Sequence, residues 1–417
     1  MKKPVLFFII QKSLIQMYKK IFIIIIFFLF SGCKMVSFIK HLSEQEFITH
    51  SNVPQNFELS NNDKILLNVS LNNSSYQMIF DTRATSILFK SKNDWIDTLP
   101  EINAPKFMRP KVATGERINR SFVKIQTAQC DIFTAKNWIV PTIKHLKQNC
   151  NNIIGIVGHD DFSIGIKKER KILEINFDKQ EILLINEIPK EWIKIKSKFN
   201  IGYTKIFLLI NGNEYSFGFD TGFNGQVIFS KKNTSSHIGK LKTKDIRYGQ
   251  MFKIAGGENV NDTIEIKNAK KVFLNDSSFV ENIDIILTDK IMENLIGIGF
   301  IKNYNWIIDY KESSIYIQQR KTDITENINY PLEYLGITFS FNTNSVVVRT
   351  LSMSGRAEKA GFKVGDKVLS INNINISNIP ICKRNYQIKE IIKEKNEMKI
   401  IVERKGKILI KTINSNN

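Results

Sequence analysis

The sequence predicts a mainly β protein of two similar lobes, followed by a smaller α+β unit. Its 417 residues exceed one ordinary domain and are enough for two or three. Short runs rich in β-branched and aromatic residues alternate with Asn, Gly, Ser and Asp, which is typical of strands and turns. One of these patterns occurs twice, and an internal repeat of this size indicates a duplicated domain.

The repeat is clearest in the stretches LNNSSYQMIFDTRATSILF and INGNEYSFGFDTGFNGQVIF. Aligning them places Asp81 on Asp220, 139 residues further along the chain. The tripeptide Ile-Val-Gly at 156–158 keeps this offset to Leu-Ile-Gly at 295–297, although Ile-Ile-Gly at 153–155 offers a rival register. Each half then closes on a strand-turn-strand pattern, so both halves are read as the same β unit.

These patterns divide the chain into successive segments. The composition, 42% apolar and 24% charged residues, is that of a globular protein with a buried core. The predicted segments are a signal peptide (1–33), a polar lead-in (34–60), lobe one (61–190), a linker (191–202), lobe two (203–322) and a third unit (330–417).

The formal net charge of +20 raises the question of a nucleic-acid or membrane-surface partner. Lys, Asn and Ile are abundant along the whole chain, and no run of Lys and Arg carries interleaved aromatic residues. Because nucleic-acid binders cluster their charge, we interpret the excess as a bias of composition and expect no nucleic-acid partner.

The first residues have the layout of a secretory signal, with Met17 as the cleaner start. Lys19 and Lys20 precede an apolar run of ten residues, 21–30, which is short for a bilayer span. Ser-Gly and then Cys33 follow, which resembles the processing box of bacterial lipoproteins. The resemblance implies that Cys33 is lipidated and anchors the protein in the cell envelope, on the periplasmic or surface face of the outer membrane. A simple membrane anchor and an uncleaved helix are the alternatives.

The three remaining cysteines, Cys130, Cys150 and Cys382, do not make a disulfide framework. A bridge between the first two and a pair of buried thiols both remain open. No Cys/His spacing suggests zinc, and we expect no metal and no cofactor. The run His-Asp-Asp at 159–161 offers metal-ligand types, but its position after an apolar-Gly element favours a capped turn.

Each half carries an apolar pair, an Asp-Thr turn and a later apolar-apolar-Gly element, which resembles the aspartic proteases of the pepsin and retropepsin type. The resemblance covers both lobes and implies two pseudo-symmetric β lobes that face each other and share one site. It implies Asp81 and Asp220 as the catalytic pair. It also implies that Thr82 and Thr221 brace the two turns, and that Gly222, which lacks a Cβ, lets substrate backbone approach.

The implied chemistry needs two carboxyl groups. Two carboxylates a few ångströms apart cannot both ionise cheaply, so one keeps its proton. The ionised group acts as general base on water, the protonated group binds the scissile carbonyl, and these roles belong to the pair. The expected partner is a peptide or an unfolded protein in extended form.

The sequence departs from the family at Arg83, where lobe two has Gly222. An arginine beside the pair could fill the space of the substrate, favour the ionised form of Asp81, or swing outward and bind acidic groups of the substrate. Only the third orientation is compatible with good activity, so a catalytically inactive, protease-like peptide binder is the alternative. Phe223, where the family often has alanine, is a milder departure.

Two glycine-containing stretches are candidates for flaps that cover a substrate. They are KVATGERINR at 111–120 in lobe one and GQMFKIAGGENV at 249–260 in lobe two. Their composition suits mobile hairpins, although ordinary surface loops have the same composition.

The stretch SGRAEKAGFKVGDKVLSINNINI at 354–376 resembles a PDZ domain of the bacterial type. The resemblance implies that an extended peptide adds as a strand to a sheet edge beside a helix. Its binding loop YLGITF departs from the Gly-Leu-Gly-Phe of the family, and a packing cap on the lobes is the alternative. The implied peptide-binding residues are Leu335, Gly336, Ile337 and Thr338.

Overall fold

A computed structural model of the protein describes residues 36–60, 63–90, 95–102, 121–144, 153–159, 162, 170–200, 203–233, 236–253, 259–322, 335–342, 345–393 and 397–414. The fold is mainly β, which confirms the predicted class. The predicted signal peptide and its Cys33 lie outside the described residues. Within those ranges, no helix combines the length and the apolar character that a membrane span requires.

Lobe one is built around a barrel. Its elements are α1 (36–43), β1 (Glu46–Thr49), β2 (Gln55–Leu59), β3 (Ile65–Leu71), β4 (Ser74–Asp81), β5 (Ile87–Lys90), a 3-10 turn (Trp95–Thr98), β6 (Glu101–Ile102), β7 (Ser121–Cys130), β8 (Phe133–Lys144), β9 (Ile153–Gly158), β10 (Ile172–Asn176) and β11 (Glu181–Ile185). Six strands follow the order β3-β4-β9-β5-β8-β7, and β7 pairs back onto β3 to close the barrel.

Lobe two repeats this architecture. Its elements are β12 (Ile193–Ile195), β13 (Ser197–Asn200), β14 (Tyr203–Ile210), β15 (Asn213–Phe219), β16 (Val227–Ser230), a 3-10 turn (Lys231–Asn233), α2 (Ser236–Gly239), β17 (Thr243–Lys253), β18 (Asn259–Phe273), β19 (Phe279–Thr288), β20 (Leu295–Ile296), α3 (Ile298–Ile301), β21 (Tyr304–Asp309) and β22 (Ser314–Gln319). The barrel order is β14-β15-β20-β16-β19-β18, closed by pairing of β18 with β14.

The two barrels keep the predicted offset in their strand pairing. β4 runs parallel to β9 with Phe80 opposite Val157, and β15 runs parallel to β20 with Phe219 opposite Ile296. Both residues of the second pair lie 139 positions after those of the first. The structure therefore supports the predicted register of the repeat and not its rival.

The hairpins that enter the two Asp-Thr turns have the same local cause. Asn72 and Asn73 connect β3 to β4, and Asn211 and Gly212 connect β14 to β15, with φ values of 47°, 68°, 50° and 77°. Positive φ at both central residues defines the two-residue turn whose twist matches its flanking strands, and Asn and Gly tolerate this conformation best.

The two lobes share a sheet and a core. The shared sheet has the strand order β12-β22-β21-β10-β11-β2, so each lobe contributes its closing hairpin. One hydrophobic core extends from Phe57 of lobe one to Trp306 and Ile317 of lobe two. The Trp306 ring is fully buried and meets the Phe219 ring edge-on at 4.8 Å. Each such buried side chain contributes roughly 1.5–3 kcal/mol to the free energy of unfolding.

Two segments that the sequence predicts as connections also supply strands. The lead-in 34–60 supplies β1, which pairs with β8, and β2, which belongs to the shared sheet. The linker 191–202 supplies β12 and β13, which pair with β22 and β14. These strands are three to five residues long, too short for a clear alternation of apolar and polar residues.

The third unit has its own hydrophobic core, which includes Leu335, Phe362 and Ile388. Its elements are β23 (Ile337–Asn342), β24 (Ser345–Ser352), α4 (Arg356–Lys359), β25 (Lys367–Ile371), β26 (Ile374–Asn375), a 3-10 turn (Ile376–Asn378), α5 (Ile381–Lys393), β27 (Glu397–Arg404) and β28 (Lys407–Asn414). β24 lies between β23 and β25, and β27 and β28 extend the sheet beyond β25.

The third unit continues the sheet of lobe two. β24 pairs with β17 over Arg247–Gly249, in antiparallel register. The Arg349 guanidinium donates to the carbonyls of Gln250 and Met251 over 2.6 and 2.9 Å. Gly249 has a φ of 125°, and a Cβ there would overlap the Arg349 carbonyl oxygen. Glycine is therefore required for the two units to approach this closely.

Candidate active site

The two Asp-Thr turns meet where lobe one faces lobe two. The Thr82 N–H donates to Thr221 Oγ1 over 3.0 Å, and the Thr221 N–H donates to Thr82 Oγ1 over 3.1 Å. Each hydroxyl also donates over 3.0 Å to the opposite lobe, Thr82 to the Phe219 carbonyl and Thr221 to the Phe80 carbonyl. Both threonines are buried, so these bonds lie away from competing water. Each threonine is thus bonded to the turn of the other lobe.

Each turn is supported from behind by its apolar-Gly element. A Cβ at Gly158 would overlap the Ala84 carbonyl oxygen, and a Cβ at Gly297 would overlap the Phe223 carbonyl oxygen. Ala84 and Phe223 occupy equivalent positions of the repeat. In each half, the glycine therefore packs against the equivalent carbonyl of its own Asp-Thr turn. Only glycine permits this contact, which explains why Asp and Gly are equally spaced in the two halves.

The two carboxyl groups converge on Gly222. The Arg83 N–H donates to Asp81 Oδ1 over 2.8 Å, and the Gly222 N–H donates to the Asp220 carboxylate in the same way. A Cβ at Gly222 would overlap Asp81 Oδ2, so Asp81 reaches across to the turn of lobe two. In this structure the close approach that glycine allows at 222 is made by Asp81.

The protonation of the pair follows from this arrangement. Burial, and then the neighbouring charge of Asp81, raise the pKa of Asp220 to about 7. Lys64 and then Arg83 act in the opposite direction, because a cation favours the carboxylate. A pair that keeps one proton close to neutral pH can supply a general base and a hydrogen-bond donor together.

The guanidinium of Arg83 runs into lobe two. It forms an ion pair with Glu293, whose other carboxylate oxygen lies 3.1 Å from Lys205 Nζ. The Arg83 side chain is only 10% exposed and lies against Gly218, where any Cβ would overlap it. The repeat aligns Gly218 with Ile79 of lobe one, so the glycine in lobe two makes room for the arginine.

The outward orientation of Arg83 toward a substrate is not the one that the structure shows. The guanidinium is instead bound by Glu293 of the same chain. Its charge favours the ionised form of Asp220, because it opposes the larger effects of burial and Asp81 on the pKa of that residue. The predicted effect on Asp81 stays a prediction. The ion pair with Glu293 accounts for an arginine at this position without any substrate.

Lys64 is a site residue that sequence reasoning missed. It precedes β3, and its Nζ donates to the carbonyl of Gly222 across the two lobes. Burial lowers the pKa of Lys64, while the charges of Asp81 and Asp220 oppose that change. The sequence holds one signal for Lys64, which is that the two halves differ at this position. The repeat aligns Lys64 of lobe one with Tyr203 of lobe two.

His159 takes part in a turn beside the site. Its N–H donates to the Asp81 carbonyl over 3.2 Å, and its own carbonyl accepts from Phe162 over 2.9 Å. Residues 160–161, the rest of the suggested ligand run, lie outside the described residues. Where the chain is described, no group of three or more His, Cys, Asp and Glu is placed to hold a metal ion.

Several predicted features lie wholly or partly outside the described residues. The flap candidate 111–120 of lobe one is outside. The candidate of lobe two is the β17–β18 hairpin, described except for 254–258. Cys130 is buried at the end of β7, whereas Cys150 and the Cys382 side chain are outside, so the bridge stays a prediction.

The β17–β18 hairpin is connected to the Asp-Thr turn of lobe two by side-chain packing. Phe252 of β17 and Phe223, which follows Gly222, pack against the same buried cluster. The Phe223 N–H also donates to the Asp220 carbonyl over 3.2 Å. The cluster consists of Ile228, Ile291 and Leu295.

Of the residues predicted for peptide binding, Ile337 and Thr338 open β23, and Leu335 and Gly336 directly precede it. Leu335 and Ile337 are buried in the core of the third unit, and Thr338 shares a 2.6 Å hydrogen bond with Thr350. Gly336 has a φ of 70°. β23 pairs with β24 on one side and contacts α5, and no other described strand pairs with it. What β23 offers to a peptide is therefore its backbone edge.

Comparison with known proteins identifies the third unit. The family described as PDZ domain matches residues 333–414. No curated protein matches the sequence. Among solved structures, the crystal structure of a retropepsin-like aspartic protease from Rickettsia conorii is similar at a TM-score of 0.22 and 17% identity. That match covers 31% of this chain and 96% of that chain. The chain thus carries a PDZ domain in its C-terminal part, after two mainly β lobes.

Proposed function

We propose that the protein is an aspartic-type endopeptidase with a peptide-binding PDZ domain. The observation that carries the proposal is the exchange of hydrogen bonds between Thr82 and Thr221, which brings Asp81 and Asp220 from separate lobes to one place. The raised pKa of Asp220, about 7, supports a pair that holds one proton near neutral pH. The proposed substrates are peptides and unfolded proteins in extended form.

The mechanism follows from a pair with one proton. The ionised carboxylate takes a proton from water, and the water oxygen forms a bond to the scissile carbonyl carbon. The protonated carboxyl group donates a hydrogen bond to the carbonyl oxygen, where negative charge develops. The bond to nitrogen then breaks as the leaving amine receives a proton from the pair. The threonine bracing keeps the two carboxyl groups in place during these steps.

A catalytically inactive peptide binder is the second candidate. It is favoured by the two cationic side chains next to the pair, Lys64 and Arg83, whose charges both oppose protonation of Asp220. A pair held in its doubly ionised state has no proton to donate to a substrate. In that case the cleft and the PDZ domain would bind extended peptides without cutting them.

Cleavage of a denatured protein mixture across a range of pH decides between these functions. We expect the wild type to cut and Asp220→Asn, which keeps the shape of the side chain, to lose all cutting. Arg83→Gly should cut at least as well as the wild type, because Glu293 keeps its contact with Lys205. If only Arg83→Gly cuts, the natural chain is an inactive binder. If no folded variant cuts, the protease proposal is wrong.

We also propose that the chain is a lipid-anchored protein of the cell envelope. The support is the order of Lys19 and Lys20, the apolar run 21–30 and Cys33 in the sequence. Labelling of cells with a fatty acid analogue should mark the wild type and not Cys33→Ser. Label retained on the serine variant would contradict the anchor.

A further inference from the structure

We infer that Lys64 is a positioning residue that sets the protonation state of the pair formed by Asp81 and Asp220. The inference rests on the proposed function, because it assigns the control of that same site. Three groups converge on Gly222: its carbonyl binds Lys64 Nζ, its N–H binds the Asp220 carboxylate, and Asp81 Oδ2 occupies the space of its missing Cβ.

The position of Lys64 is fixed by its backbone. Its N–H donates to Ser60 Oγ over 3.0 Å, and its carbonyl accepts the Ser60 N–H over 2.9 Å. The preceding residue, Asp63, pairs over 2.9 Å with Lys302 of lobe two. Lys64 is therefore held across the boundary between the lobes, unlike a surface lysine whose side chain samples many rotamers.

Among the residues that the structure describes, Asp81 and Asp220 are the acidic groups whose charges act on Lys64. Arg83 is paired with Glu293, which Lys205 also contacts, and Asp63 is paired with Lys302. The ring of His159, a further titratable group, lies with its Nδ1 3.2 Å from the Ala84 carbonyl. Both aspartates favour the charged form of the lysine, against the effect of its burial.

A buried ammonium group makes a neighbouring carboxyl group lose its proton at lower pH. Lys64 therefore limits the range in which the pair keeps the single proton that hydrolysis needs. Removing the charge should raise the pH at which this proton is lost. For charges a few ångströms apart near a protein interior, we expect a shift of about one to two pH units.

The test is a direct titration of the aspartate carboxyl carbons by NMR in the full chain. Asp81→Asn and Asp220→Asn assign the two signals. Lys64→Met and Lys64→Gln should raise the titration midpoint of the pair by about one pH unit or more. Lys64→Arg, which keeps the charge, should stay near the wild type, and so should Lys232→Gln, which removes an exposed lysine.

Two results would overturn the inference. One is a titration of Lys64→Gln that matches the wild type. The other is a shift in Lys64→Arg as large as in Lys64→Met, which would show an effect of packing and not of charge. If a Lys64 variant does not fold, the reciprocal measurement replaces it: Lys64 of Asp81→Asn should lose its own proton at lower pH than in the wild type.

The titration needs no cleavage, so it separates this inference from the proposed function. A protein that shows the expected shift and cuts nothing would retain the role of Lys64 and lose the protease proposal. Where cutting is observed, the alkaline limb of the pH profile of kcat/KM should move with the NMR midpoint. An unchanged profile in Lys64→Gln would contradict the inference.

Discussion

Asp220 shows how a single half-buried carboxyl group can make the stability of this fold depend on pH. Its pKa of about 7 lies above the ordinary value of 3.8, because burial and Asp81 disfavour the ionised form. The protonated group therefore stabilises the fold at low pH, and this contribution is lost as the pH rises through about 7.

Asp220→Asn should remove this dependence, because an amide cannot ionise. We expect the variant to exceed the wild type in free energy of unfolding by roughly 1–3 kcal/mol at mildly alkaline pH, and to approach it in acid. Denaturant titrations at several pH values measure the difference. A difference that is constant with pH would show that Asp220 titrates normally in the fold.

Thr221 offers the second test at the scale of one residue. In Thr221→Val the Thr82 N–H and the Phe80 carbonyl lose their partner while they stay buried. Buried polar groups without a hydrogen bond cost about 1–3 kcal/mol, so the free energy of unfolding should fall by about that amount. Thr221→Ser keeps the hydroxyl and is the matched control. A free energy of unfolding in Thr221→Val equal to that of the wild type would mean that the bracing does not stabilise the fold.

Some site residues were predictable from the sequence and others were not, for a physical reason. Asp81 and Asp220 could be found because the chain repeats their surroundings, and each repeat satisfies the same local packing against glycine. Lys64 acts on Gly222, 158 residues away, through a contact that only lobe one makes. A contact that breaks the symmetry of the repeat has no second copy to reveal it.

At the scale of elements, the β17–β18 hairpin connects two sites. β17 pairs with β24 of the PDZ domain, and Phe252 near its end packs with Phe223 of the second Asp-Thr turn. The Tyr248 hydroxyl adds a 2.6 Å hydrogen bond to Glu358 of α4. Burial and this bond raise the pKa of Tyr248 to about 12, so the contact persists well above neutral pH.

Gly249→Ala tests this connection, because a Cβ at 249 would overlap the Arg349 carbonyl oxygen. We expect faster amide hydrogen exchange over Arg247–Gly249 by about tenfold, which corresponds to a local loss of ~1.4 kcal/mol. Gly212→Ala is the control, since Gly212 also has a positive φ but no atom within 4 Å of its Cβ position. Equal exchange at β17 in both variants would contradict the connection.

Local sequence patterns predict the long strands and their turns, but not the short strands of the shared sheet. The Asn turns and the long barrel strands follow from local sequence, because turn chemistry and alternation are local. β12 has three residues, and its place beside β22 depends on a partner more than a hundred residues away. Such strands form because the shared sheet provides an edge, and no local pattern encodes that edge.

For the whole molecule, the shared sheet and the continuous core make the two lobes one folding unit. The four tryptophans are Trp95, Trp138, Trp192 and Trp306, which lie in the lobes and their linker, so tryptophan fluorescence follows this part of the chain. We expect one fluorescence transition in denaturant, because neither lobe can unfold without exposing the core of the other. Two separated fluorescence transitions would show that the lobes are independent.

The pairing of β17 with β24 has a geometric consequence. The edge of β23 is separated from lobe two by one strand of a common sheet, so its distance and direction from the aspartates are built into the scaffold. If both proposed activities hold, a polypeptide bound at that edge extends to the aspartate pair over a fixed distance. The module would then behave as a ruler that selects where along a captured chain the cut falls.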